Sequence, residues 1–151
     1  MKLAAAALFA LLLALSVRAG AEDAAPPRVV VILNPTNGTT AMDRSQLAQI
    51  YKGVRRSWNA HLRIAVYLPP TKGSAMATLA KDIFKVPRPE DVSTFYANAV
   101  QRKIFTSAPE MLASDAEVVR RVAAEPGAIG VVDASAIPDP APVKALVVEG
   151  L

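Results

Sequence analysis

The sequence predicts an α/β domain in which a mostly parallel sheet of about four or five strands is flanked by helices. Three observations carry that prediction. Short apolar runs rich in β-branched residues, at Arg28–Leu33, Leu62–Leu68, Ala128–Val132 and Val143–Val148, are long enough for strands and too short for helices. Between them lie segments whose apolar residues recur three and four apart, the helical period. Capping and breaking residues stand at the joints. The resulting order, β-α-β-α-α-α-β-β, is that of a layered fold whose early strands are joined by helical crossovers and therefore run parallel.

The chain opens with Met1-Lys2, an unbroken apolar run at Leu3–Leu15 and a small-residue Ala19-Gly20-Ala21 site, the pattern of a cleaved secretory signal peptide over residues 1–21. The run of 13 is shorter than the ~20 residues a spanning helix needs, and Arg18 closes it. Residues 22–27 read as a linker and residues 28–151 as one domain. In Arg28–Leu33 the apolar run suits a buried strand, and the following Asn34–Thr40 stretch is a loop by its Pro, Gly and Asn content. A helix then starts at Asp43, with Gln46 completing a capping box and Met42 stapling to Leu47; Leu47, Ile50 and Tyr51 form its buried stripe and Gly53 stops it.

In Leu62–Leu68, Ile64, Val66 and Leu68 alternate onto one face of a second strand, which Pro69-Pro70 ends. Met76, Leu79, Ile83 and Phe84 share one side of the next helix, closed before Pro87. A third helix has Pro89 at its first position, acidic Glu90-Asp91 in its first turn, Val92, Phe95, Tyr96 and Ala99 buried, and basic Arg102-Lys103 at its end. Ser114 and Glu117 form a capping box for a fourth helix carrying Val118, Val119 and Val122, which Pro126-Gly127 terminates. Ala128–Val132 and Val143–Val148 close the domain as strands around a proline-rich loop at Ile137–Pro142.

Composition excludes several functions. The formal charge of +4 falls to +2 once Lys2 and Arg18 are removed, and no basic tract interleaved with aromatics remains to track a nucleic acid. The chain has no cysteine, so it has no disulfide framework, thiolate nucleophile or cysteine for lipid attachment. A soluble periplasmic protein is expected, and the Asn37-Gly38-Thr39 sequon matters only in a glycosylating secretory pathway. His61 is the only histidine and stands near Asn59 and Ser57 without the spacing of a nucleophile, base and orienter; a hydrolase would need the fold to bring a serine and a carboxylate to it. There is no convincing catalytic set, metal site or cofactor motif, and a non-enzymatic role is expected.

The best candidate site is Thr71-Lys72-Gly73-Ser74, between the end of a strand and the start of a helix, where free N–H groups and the positive end of a helix dipole suit an anion. An ordinary serine N-cap competes with that reading. Asn34 and Thr36, with Thr39 and Thr40, would join the same sheet edge if the first two strands run parallel. Arg55 and Arg56 are placed either to steer anions or to complement a helix dipole, Trp58 to pack beneath the following strand, and the Gly127–Gly130 run to allow close approach to the sheet. Asp133 either reaches a ligand or starts a turn.

Two segments, Leu47–Tyr67 and Val118–Asp133, carry a resemblance. Leu47, Ile50, Gly53, Trp58 and Ile64–Tyr67, followed much later by Pro126–Val132, match the order Leu, Ile/Phe, Gly, basic stretch, Trp, Ile/Val-rich strand and Pro-Gly-Ala-Ile-Gly-x-Val. This pattern resembles the second half of the periplasmic phosphate-binding proteins that serve ABC transporters. The resemblance spans roughly Val29 to Val148 and implies one lobe of a two-lobed fold. In that family the stretch corresponding to Leu68–Ala75 looks like Arg-x-Asp-x-Ser-Gly-Thr; here Leu68 and Pro69 replace the arginine, Pro70–Lys72 offers no aspartate, and only Ser74 and the backbone amides carry over, with Lys72 a substitute charge. The resemblance implies a periplasmic solute-binding protein for phosphate or a related oxyanion. A lone lobe leaves one side of the anion in water, so affinity should be weak unless a second copy of the chain, an ABC permease or another envelope protein supplies the missing wall. The alternative expectation is an interaction module that keeps the fold without binding a small ligand.

Overall fold

The computed structural model describes residues 28–151; the signal peptide and linker expected over residues 1–27 lie outside the described residues. Strands β1 (Val29–Leu33), β4 (Ala65–Leu68), β5 (Glu110–Met111), β6 (Ala128–Asp133) and β7 (Lys144–Leu146) form one sheet in the order β5-β4-β6-β1-β7. A separate hairpin pairs β2 (Ser57–Asn59) with β3 (Leu62–Arg63). The helices are α1 (Arg44–Tyr51), α2 (Ser74–Thr78), which runs on as a π-helical stretch over Leu79–Phe84, α3 (Asp91–Gln101) and α4 (Asp115–Ala124).

The expected α/β sheet is mostly parallel, as four of its five strands run the same way. β4 pairs in parallel with both β5 and β6, whereas β1 is antiparallel to β6 and to β7. The reversal of β1 corrects the expectation that the first two strands run parallel. Helices cover both faces, so β1 is buried along its whole length and reads as a continuous apolar run. Val29, Val31 and Leu33 face the layer of α1, α2, the π stretch and α3, whereas Val30 and Ile32 face α4. On the α1–α3 side, Tyr51, Phe84, Phe95, Tyr96 and Phe105 form a chain of mostly edge-to-face rings, and the buried Tyr96 hydroxyl donates to Tyr51 O at 2.6 Å.

Local signals in the sequence translate into observed contacts. Asp43 caps α1 by accepting from Gln46 N at 2.8 Å, and the Gln46 side chain accepts from Asp43 N at 3.0 Å. Gly53 lies in the left-handed region beyond α1, where a Cβ would stand 2.6 Å from the Phe105 ring. The alternation over Leu62–Leu68 holds, with Ile64, Val66 and Leu68 toward one core and Ala65 and Tyr67 toward the other. Regular pairing breaks at Ile64, however, because Leu62–Arg63 turns back onto Ser57–Asn59. Ser114 caps α4 through Glu117 N at 3.1 Å, but the Glu117 carboxylate pairs with Arg120 at 2.9 Å instead of closing the box. α3 begins at Asp91, two residues after Pro89, and the last strand is confined to Lys144–Leu146.

The Gly127–Gly130 run sets how closely the layers approach. A Cβ on Gly130 would stand 2.4 Å from Val118 Cγ1 of α4, and one on Gly127 would stand 2.0 Å from the backbone oxygen of Arg63. Trp58 packs where expected and donates its indole N–H to Gly127 O at 2.9 Å. Since the obstacle at Gly127 is backbone, Gly127→Ala should cost at least ~2 kcal/mol in urea unfolding. Gly38→Ala, whose Cβ would meet nothing within 4 Å, should stay within about 0.5 kcal/mol of the parent.

Candidate functional site

At the C-terminal ends of β4 and β6, the Thr71–Gly73 turn leads into α2 beside Asp115 and Asp133. Pro69-Pro70 stops β4, and Gly73 N closes the turn onto Pro70 O at 3.2 Å. Gly73, with extended φ and ψ of −85° and 162°, is the N-cap, so Ser74 occupies the first helical position and the competing reading of Ser74 as an ordinary N-cap does not hold. No side chain caps α2, which leaves its first-turn amides without a side-chain acceptor. The Ser74 hydroxyl instead donates to Asp133 Oδ2 at 3.0 Å.

Asp133 starts the turn considered for it and also reaches Ser74. Its Oδ1 accepts from Ser135 N at 3.0 Å and Ser135 Oγ at 2.7 Å, starting the 3-10 turn at Ala134–Ala136, while Oδ2 takes Ser74. The Asp133 N–H donates to Asp115 Oδ2 at 2.9 Å. Asp115 Oδ1 is buried without a hydrogen-bond partner among the described residues and would lie 3.8 Å from a Cβ on Gly73. The Ser135 amide and then its hydroxyl hold the Asp133 carboxyl below the usual carboxylate range against an opposing desolvation, with a lesser contribution from the Ser74 hydroxyl. Lys72 is exposed, and Thr71 is turned toward the sheet edge, its hydroxyl 3.2 Å from Met111 Sδ. The arrangement offers a hydroxyl, an ionised carboxylate and open amides to a ligand that carries both acceptor oxygens and a proton to donate.

Asn34 and Thr36 do not join this group. Because β1 is reversed, Val29 pairs with Asp133 and Leu33 with Ile129, so Asn34 follows the opposite end of β6, ~17 Å away along the strand. Asn34 is buried and donates to Val122 O and Ala123 O, both at 3.0 Å, satisfying the last carbonyls of α4. Its Oδ1 accepts from Thr36 N at 3.0 Å and Thr36 Oγ1 at 2.7 Å. Those residues close a helix end and shape a turn. Asp115 and Ser135 escaped the sequence reading because an acidic residue after an N-cap and a serine in a turn are ordinary in one dimension.

Arg56 donates Nε to Gly53 O at 3.0 Å and a terminal N–H to Ile104 O, while Arg55 lies 5.4 Å from the Trp58 ring centroid. His61 is exposed at the β2–β3 turn, where its backbone N–H donates to Asn59 Oδ1 at 2.9 Å.

Two outcomes follow from this geometry. Asn34→Ala should lower stability by about 2 kcal/mol in urea unfolding, since two α4 carbonyls lose a buried donor. The depressed Asp133 pKa means its contribution is fully present above the unfolded carboxylate pKa of about 3.9 and is lost as pH falls through the folded value. Ser135→Ala should raise that folded pKa toward the ordinary value, read by carboxyl-carbon NMR titration.

Solved structures share the fold. An ABC-type phosphate transport receptor from Vibrio cholerae matches with a TM-score of 0.53 and 18% identity, covering 82% of this chain and 47% of that one. PstS from Borrelia burgdorferi matches at 0.59 and 14%, covering 82% and 47%. A protein assigned as a phosphate ABC transporter substrate-binding protein from Clostridium perfringens, solved with bound phosphate, matches at 0.58 and 18%, covering 82% and 46%. The chain thus spans about half the length of these structures. A search among curated proteins finds no match. The sequence pattern of the PBP superfamily domain matches residues 23–146, and the chain belongs to that family.

Proposed function

We propose that this chain is a periplasmic solute-binding lobe for phosphate or a related protonated oxyanion, working with an ABC-type transport system and without catalysis. The observation that carries the reading is the uncapped start of α2 at the C-terminal end of β4, with the Ser74 hydroxyl and the Asp133 carboxylate 3.0 Å apart beside it. Open amides and a hydroxyl donate to the oxyanion, and the ionised carboxylate accepts the proton that hydrogen phosphate carries and sulfate lacks at neutral pH. Two carboxylates lie beside the turn and its one lysine, Lys72, is exposed, so the net field is unfavourable to an anion and binding is weak, on the order of millimolar. The phosphate-related names of the structural neighbours support the choice of ligand, and the family supports a position outside the cytoplasm. Among the described residues, no helix is long and apolar enough to cross a membrane.

A second reading rests on Ser74 already being bonded to Asp133 in a turn that has no arginine: a lobe that docks to an envelope partner and binds no anion. Thermal unfolding separates the two. With a dissociation constant of about 1 mM, ~10 mM phosphate stabilises the native state by about 1.4 kcal/mol and raises the melting temperature by roughly 4–6 °C, and sulfate at equal ionic strength does much less. Asp133→Asn should abolish the difference between phosphate and sulfate. The absence of any phosphate-selective shift would favour the docking lobe, and tighter phosphate binding by Asp133→Asn would show that the carboxylate only repels.

A further inference from the structure

The segment after α1, the β2–β3 hairpin and residues 104–107 enclose a groove of about 280 Å³ near the start of β4, away from Ser74 and Asp133 at the strand's other end. Its apolar lining comes from Ile50, Ile64, Val66 and Phe105, which belong to or pack against the main core, with the exposed Ile104 beside them. Three arginines, Arg55, Arg56 and Arg63, share this lining, and no acidic residue does. Among the described residues, Arg88 pairs with Asp91, Arg120 with Glu117 and Arg121 with Glu110, while Arg28, Arg44 and Arg102 lie outside the groove without a carboxylate partner. Among the described residues, the three groove arginines have no such pair.

We propose that this groove binds a small amphipathic anion, a single carboxylate or phosphate monoester carried on a compact apolar body. The charge requirement comes from the uncompensated arginines, and planar guanidinium forks suit both oxyanion groups. The apolar requirement comes from the groove walls, which gain free energy only by covering nonpolar surface. The volume sits near the lower end for ligand pockets, which limits the apolar body to about one ring or a short chain.

Two of the arginines are already held in place. Arg56 is tied to the backbone oxygens of Gly53 and Ile104, and Arg55 donates Nε to Ser57 O at 3.3 Å while lying over Trp58. Less side-chain freedom is therefore lost when an anion binds. Arg63 is exposed and its side chain has no hydrogen-bond or ion-pair partner among the described residues, so of the three it is the arginine most available to a ligand.

Trp58, the single tryptophan of the sequence, reports on the groove because its ring lies beneath Arg55. Phenyl phosphate, benzoate and inorganic phosphate are titrated separately while the Trp58 indole N–H signal is followed by NMR. Both organic anions should give saturable shifts, phenyl phosphate should bind at least about fivefold more tightly than inorganic phosphate, and Arg63→Gln should weaken it by about fivefold with the melting temperature preserved. Ile104→Ser, on the groove wall, should weaken phenyl phosphate more than inorganic phosphate and serves as the second variant if Arg63→Gln fails to fold. The proposal is overturned if neither organic anion saturates, if inorganic phosphate binds as tightly as phenyl phosphate, or if neither substitution changes affinity.

Discussion

Close approach across β6 is the constraint on which the rest of the structure depends. Gly130 lets α4 rest against the sheet on one side, and Gly127 lets the start of β4 and the indole of Trp58 reach the backbone at the strand's N-terminal end. A methyl group at either position would occupy space already taken, by a valine side chain in one case and a backbone oxygen in the other. With those contacts made, β6 pairs on one edge with β4 and on the other with β1, and both helical layers are brought close enough to bury the apolar runs that define the domain.

That packing separates the charges into two regions with different chemistry. The C-terminal ends of β4 and β6 hold Asp115 and Asp133 with Ser74 and Ser135, all linked to Asp133 by hydrogen bonds. Near the start of β4, Arg55, Arg56 and Arg63 gather around an apolar groove. The first region favours a ligand that can donate a proton as well as accept hydrogen bonds, and the second favours a simple negative charge attached to nonpolar surface. A modest net charge of +4 over the whole chain conceals this division, because it sums groups that the fold keeps apart.

Asn34 illustrates how a polar residue after a strand can be structural. Its position invited a ligand role, but the reversal of β1 carries it to the C-terminus of α4, where its amide satisfies two helix carbonyls that would otherwise lack a donor. The cost of leaving those groups unpaired in a buried setting is enough to account for the residue without a ligand. Ser74 departs from the competing structural account. A capping serine would have bonded to its own helix, whereas this one reaches across to a different element and brings Asp133 into the candidate site.

The sequence by itself determined the helices and most strands, because capping boxes, proline and glycine stops and apolar periodicity act over a few residues and leave a local trace. The Asp43–Gln46 box, the Gly53 stop and the alternation of Ile64, Val66 and Leu68 are all of this kind. Short elements whose pairing depends on distant chain, the β2–β3 hairpin and the two-residue β5, left no such trace. Only the tertiary structure decided the direction of β1, and with it which loops share an end of the sheet. It likewise decided that Asp115, Asp133 and Ser135 meet Ser74 and that three arginines meet one groove, since these encounters depend on pairing register and layer packing between residues far apart in the chain.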